Sequence, residues 1–328
     1  MARTFIRQYQ PGITIENEVF VLAEKDLRTT ATGSLYIHAV LSDKSGTVPA
    51  RMWQASQELY NLLPLDGFVR VRGRTENYKS ALQFIIEGIE PVTPDAKINV
   101  DDFLPCTDKD VEQMAKRLLE ILRTIKDKPL LFLVKQFVDD KELMARFKRA
   151  PAAVAMHHAC LGGLLEHTLN ILELALLITP RYPEVNLDLM LVGCFLHDIG
   201  KTSEFAWDTS LKYTDPGQLI GHLVIGSMLV EQKAQLAARD LGQPFPARTI
   251  QLLEHMIVSH HGEYEFGAAK LPMTTEAILL HYLDDLDAKM DMAKRELSQT
   301  EPNSDWTKYI RSIERKLFKT VNGGPAPK

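Results

Sequence analysis

The spacing of apolar residues changes once along the chain, and this change constrains the fold more than any other feature. From residue 13 to about residue 92, apolar and polar residues alternate in short runs that turn residues separate. After residue 105 the apolar residues recur every three or four positions, which is the spacing of amphipathic helices. A chain of 328 residues is long enough for two domains with separate cores. The sequence therefore predicts an all-β domain followed by an all-α domain.

The β-rich segment has the size and strand number of a small barrel. Turn residues at 43–46 and 66–67 separate predicted strands. About five strands in about 80 residues are typical of an OB-fold, a partly open barrel that often binds oligonucleotides. We expect the OB-fold to span residues 1–93, a proline-containing linker to span 94–105, the helical domain to span 106–320, and a disordered tail to span 321–328.

The distribution of charge does not by itself suggest a nucleic-acid-binding protein. Net charge is −5, and all of the excess acid lies after residue 93. A protein that binds a polyanion normally carries a basic face. Bound divalent cations would reverse the local field, so acidic residues clustered at a metal site are compatible with a phosphate substrate.

The cysteines and the apolar runs both favour a cytoplasmic protein. Cys106, Cys160 and Cys194 lie far apart and form no metal-binding pair, so we expect reduced thiols. No early segment has the pattern of a secretion signal, and the longest apolar run, residues 171–178, is interrupted by Glu173. We expect a cytoplasmic location and no membrane span.

Most of the histidines fall in the predicted helical domain, with carboxylates among them. A single histidine on an apolar helix face is usually a core residue. His197 and Asp198 differ, because they stand together at the end of an apolar helix, and burying both is costly unless they are paired or coordinated. A divalent cation would remove that cost, since imidazole and carboxylate suit Mn, Fe, Zn or Ni. The pattern therefore predicts a metal site.

The segment "LHDIGK" around these two residues resembles the signature of the HD phosphohydrolase superfamily. The superfamily pattern is a histidine, then an adjacent His-Asp pair, then a distant aspartate. His167, His197, Asp198 and Asp284 match these positions, so the resemblance implies that they bind metal. Asp287 is an alternative to Asp284, because it lies one helical turn away.

Superfamily members that hold two metals have further histidines between the signature residues. His222, His260 and His261 fit these positions, so the resemblance implies two ions bridged by Asp198. We expect Mn²⁺, with Mg²⁺, Fe²⁺, Co²⁺ or Ni²⁺ as alternatives. Two such ions would generate a nucleophile at neutral pH and hold the phosphate oxygens.

Further polar residues near the signature are candidates for supporting roles. Asp198 and Lys201 are the expected catalytic residues. Lys201 would hold a phosphate oxygen or neutralise developing charge, and a solvated lysine is the alternative. His158 and Glu166 flank the first ligand and could orient it. Helix-end positions without a role in the site are the alternative for His157 and His158. His255 is expected to pack in the core.

The barrel segment contains arginines and aromatic residues suited to a single strand. The candidates for binding are Arg70, Arg72, Arg74, Tyr36, Trp53 and Tyr78. Period-two alternation places the three arginines on one side of a strand, where they could follow a phosphate backbone while aromatic rings stack on bases. A solvated face is the alternative for the arginines, and a core position is the alternative for Trp53 and Phe84.

Longer segments extend the resemblance over nearly the full chain. They are "APAAVAMHHACLGGLLEHT", "LHDIGKTSEF", "TDPGQLIGHLVIG" and "LHYLDDLDAK", preceded by "LYIHAVLSDKSGTVPARMW". Together these resemble the YhaM family of bacterial 3′-to-5′ exoribonucleases, which join an OB-fold to an HD domain. The resemblance implies Mn²⁺-dependent exonuclease action on single-stranded RNA, with single-stranded DNA as a second substrate.

Two other functions are compatible with parts of the sequence. One is an HD hydrolase of nucleotides or cyclic dinucleotides, but such an enzyme has little use for a separate strand-binding barrel. The other is a non-catalytic single-strand-binding protein, but a scaffold need not retain a full ligand set. The expected partner is single-stranded RNA or DNA, and the sequence leaves open whether the chain forms a homo-oligomer.

Overall fold

The computed structural model describes residues 3–79, 81–92, 98–154, 158–300 and 304–320. The predicted tail, His157 and the first part of the predicted linker lie outside the described residues. The chain divides into two units, one formed by Met1–Cys106 with Phe205–Thr214 and the other by Thr107–Glu204 with Asp215–Lys328.

Five strands of the first unit close into a barrel. They are β1 (Thr14–Thr29), β2 (Leu35–Asp43), β3 (Gly46–Trp53), β4 (Gly67–Tyr78) and β5 (Ala81–Pro91). Their order is β1-β2-β3-β5-β4, and β4 also pairs with β1, which closes the sheet. β3 and β5 are parallel, whereas the other pairs are antiparallel. This architecture confirms the predicted OB-fold.

The barrel core follows from alternation along each strand. In β2, Ile37, Ala39 and Leu41 are buried, while the residues between them are partly exposed. Phe20 and Phe84 are fully buried, and their rings meet edge to face at 6.2 Å. Phe84 is therefore a core residue rather than part of a binding surface.

In this unit, neither the helix between β3 and β4 nor the packing of the expected linker was predicted. A short helix, α1 (Gln57–Leu62), separates β3 from β4. Residues 98–105, which we expected to end the linker, pack on the barrel. The ring of Phe103 lies 4.8 Å from that of Phe68, and the amide of Lys44 donates to the carbonyl of Asp102. The exact domain boundary stays a prediction.

The second unit is helical, as predicted. Its helices are α2 (Val111–Leu122), α3 (Lys128–Val138), α4 (Lys141–Arg149), α5 (Gly163–Ile178), α6 (Leu187–Leu196), α7 (Lys201–Glu204), α8 (Asp215–Leu219), α9 (His222–Leu241), α10 (Ala247–Ser259) and α11 (Thr275–Ser298). Helix α6 packs against α5, α10 and α11, and α9 packs against α10. A hairpin that the sequence analysis missed, β6 (Phe205–Ala206) with β7 (Lys212–Tyr213), belongs to the first unit.

Side-chain caps explain where several helices begin. The residues at these N-caps are Asp110, Asp127, Asp140, Asn186 and Thr274, each of which accepts a hydrogen bond from a backbone amide of the first turn. Such a cap satisfies an amide that has no partner within the helix. Among the described helices, none has both the length and the apolar character needed to span a membrane.

Candidate metal centre and nucleic-acid interface

Helix α6 carries the His-Asp pair into the interior. From Leu189 to Leu196 every residue is buried, as is typical of a helix that is apolar on all sides. His197 and Asp198 follow directly and are buried as well. Gly200 allows the start of α9 to lie against the backbone that follows Asp198. The Cβ of any other residue at position 200 would clash with the carbonyl oxygen of His222.

Five helices deliver the predicted ligands to one place. His167 lies on α5, His197 and Asp198 follow α6, His222 begins α9, His260 and His261 follow α10, and Asp284 lies on α11. All seven residues contribute to a connected set of short contacts between side chains. The structure therefore brings together every residue that the sequence analysis predicted to bind metal.

A first group of donors surrounds Oδ2 of Asp198. Nε2 of His197 lies 3.4 Å from this oxygen and 3.3 Å from Nε2 of His167. Nε2 of His167 lies in turn 3.0 Å from Oδ1 of Asp284. These side chains form a buried cluster of nitrogen and oxygen donors.

A second group of donors surrounds the other oxygen of Asp198. Nε2 of His222 and Nε2 of His260 each lie 3.5 Å from Oδ1 of Asp198. Nε2 of His261 lies 3.3 Å from Nε2 of His222. The carboxylate of Asp198 thus stands between two groups of imidazoles, with one oxygen facing each.

The outer nitrogen of each ligand histidine has an oxygen acceptor. Nδ1 of His197, His260 and His261 lies within 3.0 Å of the carbonyl oxygen of Cys194, Ile257 and Phe266, respectively. Nδ1 of His222 and of His167 lies within 3.0 Å of a carboxylate oxygen of Glu204 and of Asp287, respectively. A neutral imidazole that donates from Nδ1 presents the lone pair of Nε2. These partners therefore aim the Nε2 lone pairs into the centre.

Two observations indicate that a divalent cation fits among these residues. Oδ1 of Asp198 is buried without a hydrogen-bond partner, a costly arrangement unless an ion satisfies it. Nε2 of His222 and Nε2 of His261 are 3.3 Å apart although both rings donate from Nδ1. Two nitrogens that share one metal at about 2.1 Å lie roughly 3.0–3.4 Å apart, so this spacing suits coordination.

The charge state of the centre depends on burial and on contacts between its side chains. Burial opposes ionisation of Asp284, yet its hydrogen bond with His167 holds the pKa of this carboxyl well below its usual range. Burial also opposes the charged form of His167, but hydrogen bonds to Asp284 and Asp287 raise its pKa to about 10. Burial and the neighbouring His260 lower the pKa of His261 to about 4. Without metal, a proton on His167 offsets part of the carboxylate charge.

The contacts of His167 distinguish the two aspartates of α11. Oδ2 of Asp287 lies 2.8 Å from Nδ1 of His167, whereas Asp284 faces Nε2 on the side of the centre. Asn170 also donates to Asp287 at 2.9 Å. Asp284 is therefore the candidate ligand, and Asp287 orients the ring of His167.

His158 and Glu166 lie behind this aspartate, away from the centre. Nε2 of His158 lies 3.0 Å from Oδ2 of Asp287, and its Nδ1 lies 4.0 Å from Oε2 of Glu166. Glu166 also pairs with Lys109 at 3.1 Å. These contacts agree with the predicted orienting role, which stays a prediction.

Lys201 is buried beside the centre rather than solvated. Its side chain is 9% exposed, and Nζ lies 2.6 Å from Oδ2 of Asp198. Burial disfavours the ammonium, but the Asp198 carboxylate outweighs this effect and raises the pKa of Lys201. Burial likewise opposes ionisation of Asp198, yet Lys201 and His197 hold its pKa well below the usual range. The ion pair is therefore charged at neutral pH, and a catalytic role for Lys201 stays a prediction.

His255 does not belong to the centre. Its Nε2 accepts a hydrogen bond from the backbone amide of Met273 at 2.9 Å.

Glu204 lies beside the centre but was not predicted as a site residue. Its carboxylate accepts hydrogen bonds from both the backbone amide and Nδ1 of His222. Glu204 follows the signature within "GKTSEF", but nothing in that spacing indicates which histidine it meets.

The three barrel arginines point outward from β4, but acidic residues accompany them. Val71 and Gly73 are buried between the partly or fully exposed arginines, as alternation predicts. Arg74 pairs with Glu87, and Nε of Arg70 lies 3.8 Å from a carboxylate oxygen of Glu90. These pairs favour a solvated, mixed-charge face for Arg70 and Arg74. Phosphate binding by the three arginines stays a prediction.

The predicted aromatic residues lie on neighbouring parts of the barrel surface. The rings of Tyr36 and Trp53 are 5.1 Å apart, and Trp53 is 45% exposed. The guanidinium of Arg51, which the sequence analysis missed, lies 5.8 Å from the ring of Trp53 and 4.8 Å from that of Tyr78. Arg51 thus joins the three aromatic residues into one surface with rings and a cation, which we call the aromatic face.

Comparisons with known proteins found a family model and similar solved structures. The family model described as the HD domain matches residues 164–289. The second OB-fold domain of replication protein A from Methanococcus maripaludis aligns over 29% of this chain and 98% of its own, at 15% identity and a TM-score of 0.22.

Full-length relatives match as well. The protein named 3′-5′ exoribonuclease YhaM from Geobacillus sp. (strain WCH70) is 32% identical over 95% of this chain and 94% of its own length. The protein of the same name from Bacillus subtilis (strain 168) is 32% identical over 88% of this chain and 89% of its own. The chain therefore belongs to the YhaM family.

Proposed function

We propose that this chain is a metal-dependent 3′-to-5′ exoribonuclease that hydrolyses phosphodiester bonds of single-stranded RNA. The observation that carries the proposal is the position of Asp198, whose two carboxylate oxygens face separate groups of imidazoles in a chain of this family. The names of the relatives supply the RNA substrate and the direction. Single-stranded DNA is a second proposed substrate.

The proposed cofactor is a pair of Mn²⁺ ions. The residues that would hold them are His167, His197 and Asp284 for one ion, His222, His260 and His261 for the other, and Asp198 for both. The donors mix imidazole with carboxylate and include no thiolate, which favours Mn²⁺ over Mg²⁺. When bound, such ions activate water at neutral pH and hold phosphate oxygens.

The chain's own residues prepare the site before substrate arrives. Asp287 and Glu204 fix the rings of His167 and His222 through Nδ1, so these imidazoles need not reorient. Lys201 uses one of its three donors on Asp198. We propose that another donor of this ammonium holds a phosphate oxygen as charge develops during hydrolysis.

The barrel would capture the single strand. Tyr36, Trp53 and Tyr78 offer rings on which bases can stack without sequence preference, and Arg51 supplies a cation among them. Stacking and backbone contacts of this kind are the usual means by which OB-folds bind single strands. The aromatic face supports this role more directly than Arg70 and Arg74 do.

A cytoplasmic location completes the proposal. Cys106, Cys160 and Cys194 form no disulfide in the structure. Cysteines without disulfides are typical of a reducing compartment.

End-labelled oligonucleotides test the proposed function. With Mn²⁺, a 3′-labelled single-stranded RNA should release its label as a mononucleotide at once, whereas a 5′-labelled RNA should shorten step by step. Labelled single-stranded DNA, a free nucleotide and a cyclic dinucleotide should be assayed in parallel. Internal cuts, label released first from the 5′ end, or hydrolysis of only the small substrates would contradict the proposal.

A further inference from the structure

A cavity of about 390 Å³ opens beside the metal centre. This volume lies in the range of roughly 300–1,000 Å³ that is typical of small-molecule sites. His261 and Asp284, two of the proposed metal ligands, line the cavity. Phe266, Met292 and Ile313, which we call the apolar wall, line the same cavity. The cavity therefore combines proposed metal ligands with an apolar wall.

The apolar wall offers a flat aromatic surface that the protein itself does not cover. The side chain of Phe266 is 68% exposed although it lines the cavity. Met292 is buried, and its sulfur accepts a hydrogen bond from the hydroxyl of Ser312 at 3.4 Å. This bond links α11 to the segment that carries Ile313. An exposed ring beside aliphatic side chains suits a ligand with a flat, largely apolar face.

Phe266 is held at a fixed position relative to a proposed metal ligand. It ends a single helical turn, Tyr264–Phe266, and Gly267 follows with a φ of +88° that reverses the chain. The carbonyl oxygen of Phe266 accepts the hydrogen bond from Nδ1 of His261 at 2.8 Å. One hydrogen bond thus joins the ring of His261 to the backbone of the residue that carries the exposed aromatic side chain.

We propose that this cavity binds the 3′-terminal nucleotide of the RNA strand, with its base stacked on Phe266. The proposal rests on the proposed function. The phosphate at the 5′ oxygen of that nucleotide would lie at the end near His261 and Asp284, and the base would lie against the apolar wall. Because every base has an aromatic face, such a pocket accepts any terminal nucleotide.

Adenosine 5′-monophosphate carries the base, sugar and 5′-phosphate of a terminal nucleotide, whereas ribose 5-phosphate lacks the base. The experiment measures the affinity of the Mn²⁺-loaded full chain for each compound by calorimetry. Stacking on one aromatic ring predicts that the nucleotide binds about 5-fold to 150-fold more tightly than the sugar phosphate. Phe266→Ala should remove most of this preference without changing the affinity for ribose 5-phosphate, and Phe266→Tyr should retain it.

Tyr264 provides a matched control, because it is a 62% exposed aromatic residue of the same turn that does not line the cavity. Tyr264→Ala should keep the full preference for the nucleotide. Ile313→Ala gives a second variant, for which we expect a smaller loss. Equal affinity of the parent for both compounds, no binding of the nucleotide, or an unchanged preference in Phe266→Ala would overturn the proposal.

RNA hydrolysis by the parent separates this proposal from the proposed function. If the parent degrades single-stranded RNA from the 3′ end but shows no preference for the nucleotide, the cavity proposal fails and the function stands. If the parent prefers the nucleotide but does not degrade RNA, the cavity binds nucleotides and the exoribonuclease function fails.

Discussion

Nδ1 of His167 lies 2.8 Å from Oδ2 of Asp287, and both side chains are buried. The carboxylate therefore fixes the ring so that Nε2 faces Asp284, which lies 3.0 Å away. A carboxylate in this position makes the imidazole a stronger metal ligand without touching the ion itself. The two aspartates of α11 should consequently fail in different ways when they are replaced.

Replacing Asp287 should weaken metal binding rather than abolish the reaction. In Asp287→Asn we expect the Mn²⁺ concentration needed for half-maximal RNA hydrolysis to rise by about 10-fold to 100-fold, with kcat near the parent value at saturating metal. In Asp284→Asn, activity should stay low at every Mn²⁺ concentration, because a proposed ligand is missing. The measurement is hydrolysis rate against free Mn²⁺.

Glu173 supplies the control for this titration. It lies on α5, as His167 does, but its carboxylate pairs with Arg117 on the exposed side. Glu173→Gln should titrate with Mn²⁺ as the parent does. If Asp287→Asn also titrates as the parent does, Asp287 does not orient the ligand, and if no Mn²⁺ concentration restores its activity, Asp287 acts as a ligand itself.

Lys201 should contribute to the chemical step. Lys201→Met removes a buried cation next to Asp198, and loss of one such electrostatic contact typically lowers kcat by about 100-fold to 1,000-fold. KM should change little, because the contact is proposed to strengthen as charge develops. Lys148→Met is the control, because it removes a lysine that pairs with Glu112 instead of Asp198. This variant should keep the kcat of the parent. A parent-like kcat in Lys201→Met would reduce the role of Lys201 to neutralising Asp198.

Metal binding should stabilise the fold. A chelator would remove the cation that Asp198 and the surrounding imidazoles are proposed to share. Oδ1 of Asp198 is then buried without a hydrogen-bond partner. At a metal concentration of about 100 times Kd, binding adds roughly 2.7 kcal/mol to the free energy of unfolding. We expect Mn²⁺ to raise the melting temperature of the parent and to raise that of Asp198→Ala much less. Equal shifts in both proteins would place the metal elsewhere.

The aromatic face should govern the affinity for long strands. Trp53→Ala and Arg51→Ala should each raise KM for a long single-stranded RNA, by about 5-fold to 150-fold for the lost ring. Uniform binding contributes to KM and not to kcat, so the rate at saturation should persist. Tyr182→Ala, which removes a comparably exposed ring from the helical unit, serves as control. Unchanged KM values in both barrel variants would exclude the aromatic face as the binding surface.

The arginines of β4 should contribute less to binding than their number suggests. Each phosphate contact on a single strand contributes about 0.7 to the slope of log affinity against log salt. Since Arg70 and Arg74 pair with glutamates, changing Arg70, Arg72 and Arg74 together to Ala should flatten the slope by about 0.7 rather than about 2.1. A change of about 2.1 would indicate that all three arginines contact phosphates. No change would indicate that these arginines are not part of the binding surface.

The grouping of the candidate metal ligands could be predicted from sequence because the signature fixes their order and residue types. His197 and Asp198 end an apolar helix, so their burial followed from local pattern. The choice between Asp284 and Asp287 could not be settled in the same way, because both lie on one side of α11 a turn apart. It depends on which nitrogen of His167 each carboxylate meets, and only the packing of α5 against α11 determines that.

The barrel shows a similar division. Five alternating strands indicated the OB-fold, whereas the partners of the β4 arginines depend on the register between β4 and β5, which places Glu90 opposite Arg70. Arg51 stands alone on β3, so no repeated spacing marked it in the sequence. Its relation to Tyr78 arises from contacts across strands that are distant along the chain.

Bound metal and RNA hydrolysis, measured together in the parent and in Asp198→Ala, test the proposed centre most directly. Asp198 is the residue that both groups of imidazoles share, so its removal should affect both ions at once. We predict about two Mn²⁺ per parent chain with 3′-to-5′ degradation of single-stranded RNA, and loss of both metal and degradation in the folded variant. An Asp198→Ala protein that degrades RNA at the parent's rate would contradict the assignment of the centre.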